Sequence, residues 1–355
     1  MEGLLYLEDG TVFKGSGFGY PATKAGELIF NTSMTGYQEM MTDPSFAGQI
    51  INMTYPLIGN YGISATADES DKIQAFGLVA KDISLRPSNY KSIMTLDEWM
   101  KKGKTPGVCD VDTRKITKKL RNEGIMKCVI SNEGISVAEA KEILKNAGTP
   151  DEMMKTAGIS AKKIIGKGDL KVAVLDFGCK KSVIAHLAGK GCELHLFPYA
   201  STAEEILAIN PDGVFLPNGP GNPEKAVEAL EQLKKLVGIV PVFGIGLGHE
   251  LIALAMGGQT YKLPYGHRGA NHGVYDKNLD KSYVVTQSHS FTVKSESVII
   301  KGMEITHMNL NDGSVEGMVH RSHPVFSVQF YPKTSGEDSA YLYDKFIAMM
   351  KGGEK

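Results

Sequence analysis

The sequence has little of several features that mark specialised classes of protein. Its 355 residues carry 39 basic and 40 acidic side chains, so the formal net charge is only −1, and lysine and arginine are spread along the chain. Without a basic field, we expect no nucleic-acid partner. The opening stretch MEGLLYLEDGTVFKG holds only a short apolar run, which fits neither a signal peptide nor a membrane span. We therefore expect a cytoplasmic protein with no membrane partner.

Cysteine is scarce, and its spacing excludes common metal and disulfide frameworks. The four cysteines are Cys109, Cys128, Cys179 and Cys192. They show no CxxC spacing, and no histidine stands at metal-ligand spacing from them, so we predict buried free thiols and no metal site. His320 and His323 are close in sequence but lack a third ligand nearby. Cys179 follows the strand-like run KVAVLDFG and begins a helix, where a thiolate is favoured; the competing interpretation is a small apolar residue in a turn.

The strand and helix signals predict two domains joined by a linker. Residues 1–147 show short strand-like runs separated by turn residues, then the helical runs DTRKITKKLRNEG and SVAEAKEILKNAG. The second of these begins with Ser136 and Glu139 at capping-box spacing. Residues 148–168 lack a firm apolar period and are predicted to be the linker.

Residues 169–355 alternate apolar strand-like runs with helical stretches such as PEKAVEALEQLKKLVG. This alternation predicts right-handed βαβ units and a mostly parallel sheet covered by helices. The predicted fold class is therefore α/β, with a β-rich first domain. Such sheets bind ligands beyond the carboxyl ends of their strands. The chemistry is therefore expected at turns such as PNGPGNP and GIGLGHE.

The stretch PVFGIGLGHELIALAMGG predicts a strand, a glycine corner and an apolar helix. Such a corner strains its middle residue and exposes that side chain above the sheet, beside helix amides that can hold an oxyanion. A cysteine there becomes a nucleophile when a histidine lies within reach. The corner residue here is Gly246, which has no nucleophilic atom.

Taken with other motifs, this stretch resembles the small, glutamine-hydrolysing subunit of carbamoyl-phosphate synthetase, whose second half is a class I glutamine amidotransferase domain. The motifs are GELIFNTSMTGYQEMMTDPSFAGQIINMTYPLIGNYG, DVDTRKITKKLRNEG, LDFGCKKSV, NPDGVFLPNGPGNP, VFGIGLGHELIALAMGG, YGHRGANH and HPVFSVQFYP. They cover nearly the whole chain, and the first two are peculiar to this subunit. The resemblance implies a subunit-specific first domain and a large-subunit partner. That partner makes carbamoyl phosphate from bicarbonate, ATP and an amino group, for pyrimidine and arginine synthesis. ATP and Mg are expected only in the large subunit, and no cofactor is expected in this chain.

The family reads G-I-C-L-G-H-Q at the corner and F-H-P-E near the end, where this chain reads GIGLGHE and FYPK. By position, the cysteine nucleophile is Gly246, the histidine base is Tyr331 and the orienting glutamate is Lys333. A phenol with an ordinary pKa of roughly 10 is a poor base at neutral pH, and a lysine repels an imidazolium. The resemblance therefore implies a chain that cannot hydrolyse glutamine.

The glutamine pocket is only partly kept. The family's ligand positions fall on Ser33, Gly219, Gly221, Leu247, Glu250, Ser288, Ser290 and Phe291. Glu250 replaces a glutamine, while Ser288 and Ser290 alter the family's N-H-G-F segment to SHSF. We expect Glu250 and Lys333 to form a salt bridge in the old cavity. Because Gly246 tolerates positive φ, a cysteine there should lower stability by about 1 kcal/mol.

Other interpretations stay open at this point. The chain is alternatively a stand-alone pseudo-amidotransferase that binds a small amino-acid-like ligand in the altered pocket. His249 or His289 is either a recruited base or a hydrogen-bonded structural residue, and His289 with Ser288 or Ser290 is a weak candidate for a new hydrolase. A basic helix is either a docking surface or a solvated face; its side chains are Arg114, Lys115, Lys118, Lys119 and Arg121.

Overall fold

A computed structural model describes residues 1–334 and 338–353. The chain divides into two compact units, Met1–Pro150 and Asp151–Lys355. Each unit has its own sheet and its own buried clusters. The predicted α/β class is confirmed, with a β-rich first unit.

The first unit is a closed β-barrel with strand order β1-β2-β8-β6-β4-β3-β9. Its strands are β1 (Glu2–Leu7), β2 (Val12–Gly19), β3 (Thr23–Asn31), β4 (Gln49–Met53), β5 (Leu57–Ile58), β6 (Gly77–Val79), β7 (Asp82–Ile83), β8 (Pro106–Cys109) and β9 (Met126–Ser131). Its helices are α1 (Tyr37–Thr42), α2 (Leu96–Lys102), α3 (Thr113–Glu123) and α4 (Val137–Asn146). Strands β5 and β7 form a separate two-stranded sheet.

Local signals account for the helix boundaries in this unit. The Ser136 hydroxyl accepts a hydrogen bond from the amide of Glu139, whose carboxylate in turn accepts from the amide of Ser136. This reciprocal pair satisfies two amides that lack partners at a helix start. The capping box predicted for α4 is confirmed.

The second unit contains a ten-stranded sheet with order β10-β12-β11-β13-β14-β19-β18-β17-β15-β16. Its strands are β10 (Lys163–Ile165), β11 (Leu170–Asp176), β12 (Cys192–Pro198), β13 (Gly213–Leu216), β14 (Val242–Ile245), β15 (Thr260–Asp276), β16 (Lys281–Val293), β17 (Met303–Asn309), β18 (Val315–His320) and β19 (Val325–Val328). Its helices are α5 (Met154–Ala157), α6 (Lys181–Gly189), α7 (Ala203–Leu207), α8 (Val227–Leu236), α9 (Leu247–Ala255), α10 (Ser295–Ile299) and α11 (Tyr341–Met350).

The parallel part of this sheet comprises β12, β11, β13, β14 and β19. It is buried on both faces, as β11 shows: Ala173 and Leu175 pack in one apolar cluster with α8 and α9, whereas Val172 and Val174 pack in another with α6 and α11. Beyond β19 the sheet continues through antiparallel strands, including the long β15–β16 hairpin. The parallel pattern predicted for this domain therefore applies to its central strands.

The segment 148–168, predicted to be a linker, contains regular structure. Helix α5 lies within it, and β10 pairs antiparallel with β12 at the edge of the sheet. A three-residue edge strand is too short to show an apolar period, and Ile164 within it is 60% exposed. Across the described part of the chain, no helix has the length and apolarity needed to cross a membrane.

Candidate functional site

The sharp corner predicted from GIGLG lies between β14 and α9. Its central residue, Gly246, has φ 57° and ψ −115° and caps the N-terminus of α9. The amide of Gly246 donates a 3.0 Å hydrogen bond to the carbonyl of Val328, which ends the neighbouring strand β19. The backbone thus has the strained geometry that presents a nucleophile, without the nucleophile.

The glycines on either side explain how the corner is built. A Cβ on Gly248 would lie 2.1 Å from the carbonyl oxygen of Leu216, and one on Gly244 would lie 2.7 Å from the backbone of Gly248. A Cβ on Gly246 would meet nothing closer than 3.5 Å, which is ordinary van der Waals contact. The flanking glycines are therefore required by packing, while the central position has room for a side chain.

The two other positions predicted for the triad follow β19, which pairs in parallel with β14. Both strands end at the same edge of the sheet, so Gly246, Tyr331 and Lys333 lie at adjacent strand ends. Tyr331 is half-buried, and its amide donates a 3.0 Å hydrogen bond to the carbonyl of Thr286. The Lys180 ammonium lies 4.4 Å from the centre of the Tyr331 ring, in a cation–π contact. A phenol thus stands at the position predicted for the base.

The expected salt bridge between Glu250 and Lys333 is wrong. The Lys333 ammonium lies 2.8 Å from the carboxylate of Asp338, and its side chain is 46% exposed. Glu250 is buried and accepts a 2.9 Å hydrogen bond from the side-chain amide of Gln329. Lysine keeps its ammonium in water because desolvating it is costly, and an acid near the surface was available to pair with it.

Glu250 is instead a buried carboxyl group that forms no ion pair with any described residue. Burial raises its pKa to about 8, and the hydrogen bond from Gln329 only partly offsets that effect. A carboxyl group in this environment is mostly protonated and neutral at pH 7. The first turn of α9 therefore carries a neutral acid.

Neither His249 nor His289 is placed to act as a base. His249 is fully buried, its Nδ1 lies 2.9 Å from the hydroxyl of Ser327, and burial lowers its pKa to about 3. His289 lies between the carbonyl of Phe291 and the side-chain oxygen of Gln287. Burial holds the pKa of His289 well below its usual range. A group with such a depressed pKa binds a proton too weakly to act as a general base at neutral pH.

The hydrolase alternative built on the SHSF segment lacks its essential contact. The Ser290 hydroxyl is hydrogen-bonded to the guanidinium of Arg268, and the Ser288 hydroxyl is buried with no hydrogen-bond partner. The hydrogen-bond partners of His289 are instead the carbonyl of Phe291 and the side-chain oxygen of Gln287. Adjacent strand residues point to opposite faces of a sheet, which is why these side chains do not form a dyad.

The remaining predicted pocket positions can be located within their own units. Gly219 and Gly221 form the turn after β13, and a Cβ on Gly219 would lie 2.9 Å from Leu247, the first residue of α9. Phe291 is buried on β16. Ser33 belongs to the first unit and follows β3, where its amide donates to the side chain of Asn31.

Sequence reasoning missed two residues that shape this site. Gln329 is the partner of Glu250, and Lys180 covers the ring of Tyr331. Gln329 follows the carboxyl end of β19, and Lys180 follows that of β11. Ligand sites in such sheets lie beyond these strand ends, so the positions of both residues in sequence could have marked them as candidates. Their partners come from distant parts of the chain, so sequence spacing could not reveal the pairs.

Two further predictions concern the cysteines and the basic helix. All four cysteines are free and buried, which confirms the predicted thiols. Cys179 precedes α6 in a turn held by Asp176, whose carboxylate accepts from the Cys179 amide at 2.7 Å. On α3, Lys119 forms ion pairs with Asp9 and Glu123 within its own unit. The other four basic residues of that helix are exposed.

The comparisons with known proteins agree with this geometry. The family of the carbamoyl-phosphate synthase small chain, CPSase domain, matches residues 5–130, and class-I glutamine amidotransferase matches residues 173–349. A carbamoyl phosphate synthase small chain from Clostridium acetobutylicum is 53% identical over 98% of this chain and 99% of its own length. The small chain from Oceanobacillus iheyensis is 43% identical over 99% of this chain and 96% of its own length. A pyrimidine-specific small chain from Halalkalibacterium halodurans is 42% identical over 100% of this chain and 98% of its own length.

These matches run through both units, including the barrel and the strand, corner and helix around Gly246. The chain belongs to the family of carbamoyl phosphate synthase small chains, and its second unit is a class I glutamine amidotransferase domain.

Proposed function

We propose that this chain is a carbamoyl phosphate synthase small chain that does not hydrolyse glutamine and acts through binding to a large chain. The observation that carries this proposal is the corner at Gly246, which keeps the backbone of a nucleophile and has room for a side chain. No thiolate stands there to attack the amide carbon of glutamine.

The rest of the site supports the same proposal. Tyr331 presents a phenol, and its ring is held against a lysine ammonium. Lys333 pairs with Asp338 and carries the wrong charge to steady an imidazolium. His249 and His289 have lowered pKa values. Restoring the nucleophile alone would therefore leave the reaction without a base.

In this proposal the small chain supports the reaction of the large chain, which makes carbamoyl phosphate from bicarbonate, ATP and an amino group. A small chain without glutaminase activity would support a complex that takes free ammonia. The names of the relatives point to this assembly and, for one of them, to pyrimidine synthesis. ATP and Mg belong to the large chain in this proposal. The exposed basic residues of α3 are candidates for the docking surface.

Reconstitution of the complex tests this proposal. The full chain is combined with a large chain, and carbamoyl phosphate is measured with glutamine or with ammonium as the only nitrogen source. We expect product from ammonium alone. The matched control carries Gly246→Cys, Tyr331→His and Lys333→Glu together. Product from glutamine with the unmodified chain would refute the proposal, as would a failure to bind any large chain.

A second candidate function is binding of a small amino-acid-like ligand in the altered pocket. The Ser288 hydroxyl, buried without a hydrogen-bond partner, favours it, because such a group is stabilised when a ligand supplies one. A rise in melting temperature with glutamine or glutamate, absent in Ser288→Ala, would support this function. Equal melting curves with and without these amino acids would exclude it for them.

A further inference from the structure

Three buried side chains beside the pocket form a cluster that the proposed function does not use. His267 on β15, His289 on β16 and Glu316 on β18 offer ligand atoms that all lie within 4.8 Å of one another. His267 and His289 face each other across the β15–β16 pair. Glu316 is fully buried, and each histidine is 7% exposed. The three positions are far apart in sequence and show no metal-ligand spacing.

The outer nitrogen of each histidine is already committed to an oxygen acceptor. Nε2 of His267 lies 2.9 Å from the carboxylate of Asp312, and Nδ1 of His289 lies 2.6 Å from the carbonyl of Phe291. An oxygen acceptor requires the proton on the nitrogen that faces it. In the neutral rings, Nδ1 of His267 and Nε2 of His289 therefore turn lone pairs toward the interior of the cluster. Metal-ligating histidines are commonly oriented in this way by a carboxylate or a carbonyl.

The interior of the cluster has more acceptors than donors. Nε2 of His289 lies 2.9 Å from Oε1 of Gln287, so two lone pairs face each other. The side-chain amides of Gln287 and Asn309 both donate to Oε1 of Glu316, each at 2.7 Å. Oε2 of Glu316 is buried and has no hydrogen-bond partner. Turning the Gln287 amide over would satisfy His289 but would set its oxygen against Glu316. A buried surplus of acceptors of this kind is stabilised by a cation.

We propose that Nδ1 of His267, Nε2 of His289 and the carboxylate of Glu316 bind one divalent transition-metal ion with the ligand preference of zinc. Two imidazoles and one carboxylate are a common zinc ligand set, with a fourth position left for water. Tetrahedral zinc needs these ligand atoms about 3.3 Å apart. Nδ1 of His267 and Oε1 of Glu316 are 3.8 Å apart, so small side-chain movements bring them to that spacing.

Charge and access also fit a divalent ion. Glu316 and Asp312 together supply two negative charges, which offset the charge of the metal. The Asp312 side chain is 40% exposed and hydrogen-bonds His267, so the cluster lies one side chain below the surface. A metal here would join strands β15, β16 and β18 through a ligand in the SHSF segment. It goes beyond the proposed function and is independent of it, because no triad position takes part.

Metal binding by the full chain tests this proposal. The chelator-treated protein is titrated with Zn²⁺ and with Co²⁺, and bound metal is measured by mass spectrometry and by the visible absorption of tetrahedral cobalt. We expect one tightly bound equivalent and a higher melting temperature with metal. Glu316→Gln removes one ligand at nearly constant volume and should weaken binding by about 100-fold or more. Asp312→Asn changes only the hydrogen bond to Nε2 of His267 and removes no metal ligand. It should weaken metal binding by about 10- to 100-fold.

The control is His323→Gln, which removes an exposed histidine whose ring lies 4.5 Å from that of His320. The His323→Gln variant should bind one metal ion as tightly as the unmodified chain does. The proposal is overturned if the unmodified chain retains no metal, because a proton then supplies the cation. It is equally overturned if Asp312→Asn binds with unchanged affinity, or if His323→Gln loses the tight equivalent. Glutamine hydrolysis is not a readout, so none of these three results depends on the proposed function.

Discussion

Replacing Glu250 with glutamine should stabilise the protein and remove the part of its pH-dependent stability that ionisation of Glu250 causes. Glu250 is buried in the first turn of α9, has no cation beside it, and receives one hydrogen bond from Gln329. Glutamine has nearly the same shape, and its carbonyl oxygen can accept the same hydrogen bond. The substitution therefore removes only the ability to ionise inside the protein.

The magnitude follows from the pKa of Glu250, which burial raises from 4.5 to about 8. Because one pH unit is worth about 1.4 kcal/mol, ionising this buried group costs on the order of 5 kcal/mol. The unfolded chain loses its proton near pH 4.5 and the folded chain near pH 8, so stability falls as pH rises between these values. Between pH 5.5 and pH 8 the loss is about 3 kcal/mol.

Thermal unfolding at pH 5.5 and pH 8 measures this effect. For a unit of this size, 1 kcal/mol moves the melting temperature by about 2 to 4 °C. The advantage of Glu250→Gln over the unmodified chain should therefore grow by about 6 to 12 °C from pH 5.5 to pH 8. Glu304→Gln, on the exposed side of β17, is the control and should show no such growth. An advantage of Glu250→Gln that is the same at both pH values would refute the reasoning.

The other predictions concern the corner and the triad positions. Gly248→Ala should destabilise the second unit severely, because its Cβ would lie 2.1 Å from a backbone oxygen. Gly246→Cys should lower the free energy of unfolding by only about 1 to 3 kcal/mol, since only its φ of 57° is unfavourable. Denaturant unfolding distinguishes the two variants, and equal losses of stability would contradict the packing argument. Lys333→Ala should leave the melting temperature unchanged, because its ammonium pairs with Asp338 at the surface; a clear fall would show that Lys333 neutralises a buried group. Gly246→Cys alone should release no glutamate from glutamine, whereas the same change with Tyr331→His and Lys333→Glu should release it; activity in the single variant would show that another base is present.

Local sequence signals predicted the parts of the structure that depend on neighbouring residues. The capping box at Ser136 and the corner around Gly246 follow from a few adjacent side chains and from the backbone that glycine allows. The central strands of the second unit were also recognisable, because a strand buried on both faces, such as β11, shows a continuous apolar run. The family motifs predicted which positions correspond to the triad, and that assignment stays a prediction.

Features that depend on distant residues could not be predicted in this way. The closure of the barrel joins β1 to β9 across most of the first unit, and no local pattern specifies that pairing. Lys333 was expected to reach Glu250 because their charges are opposite, but burial and the nearby Asp338 decided the partner. The His267–His289–Glu316 cluster arises from strand pairing within the sheet, and its residues show no ligand spacing in sequence.

Glutamate release from glutamine, measured with the unmodified chain in the presence of a large chain, decides whether this chain hydrolyses glutamine. Release is expected to be no faster than that of Gly246→Ala, because the corner at residue 246 supplies no thiolate in either protein. Release at about one turnover per second or faster, within the ordinary range of enzymes, would contradict this expectation.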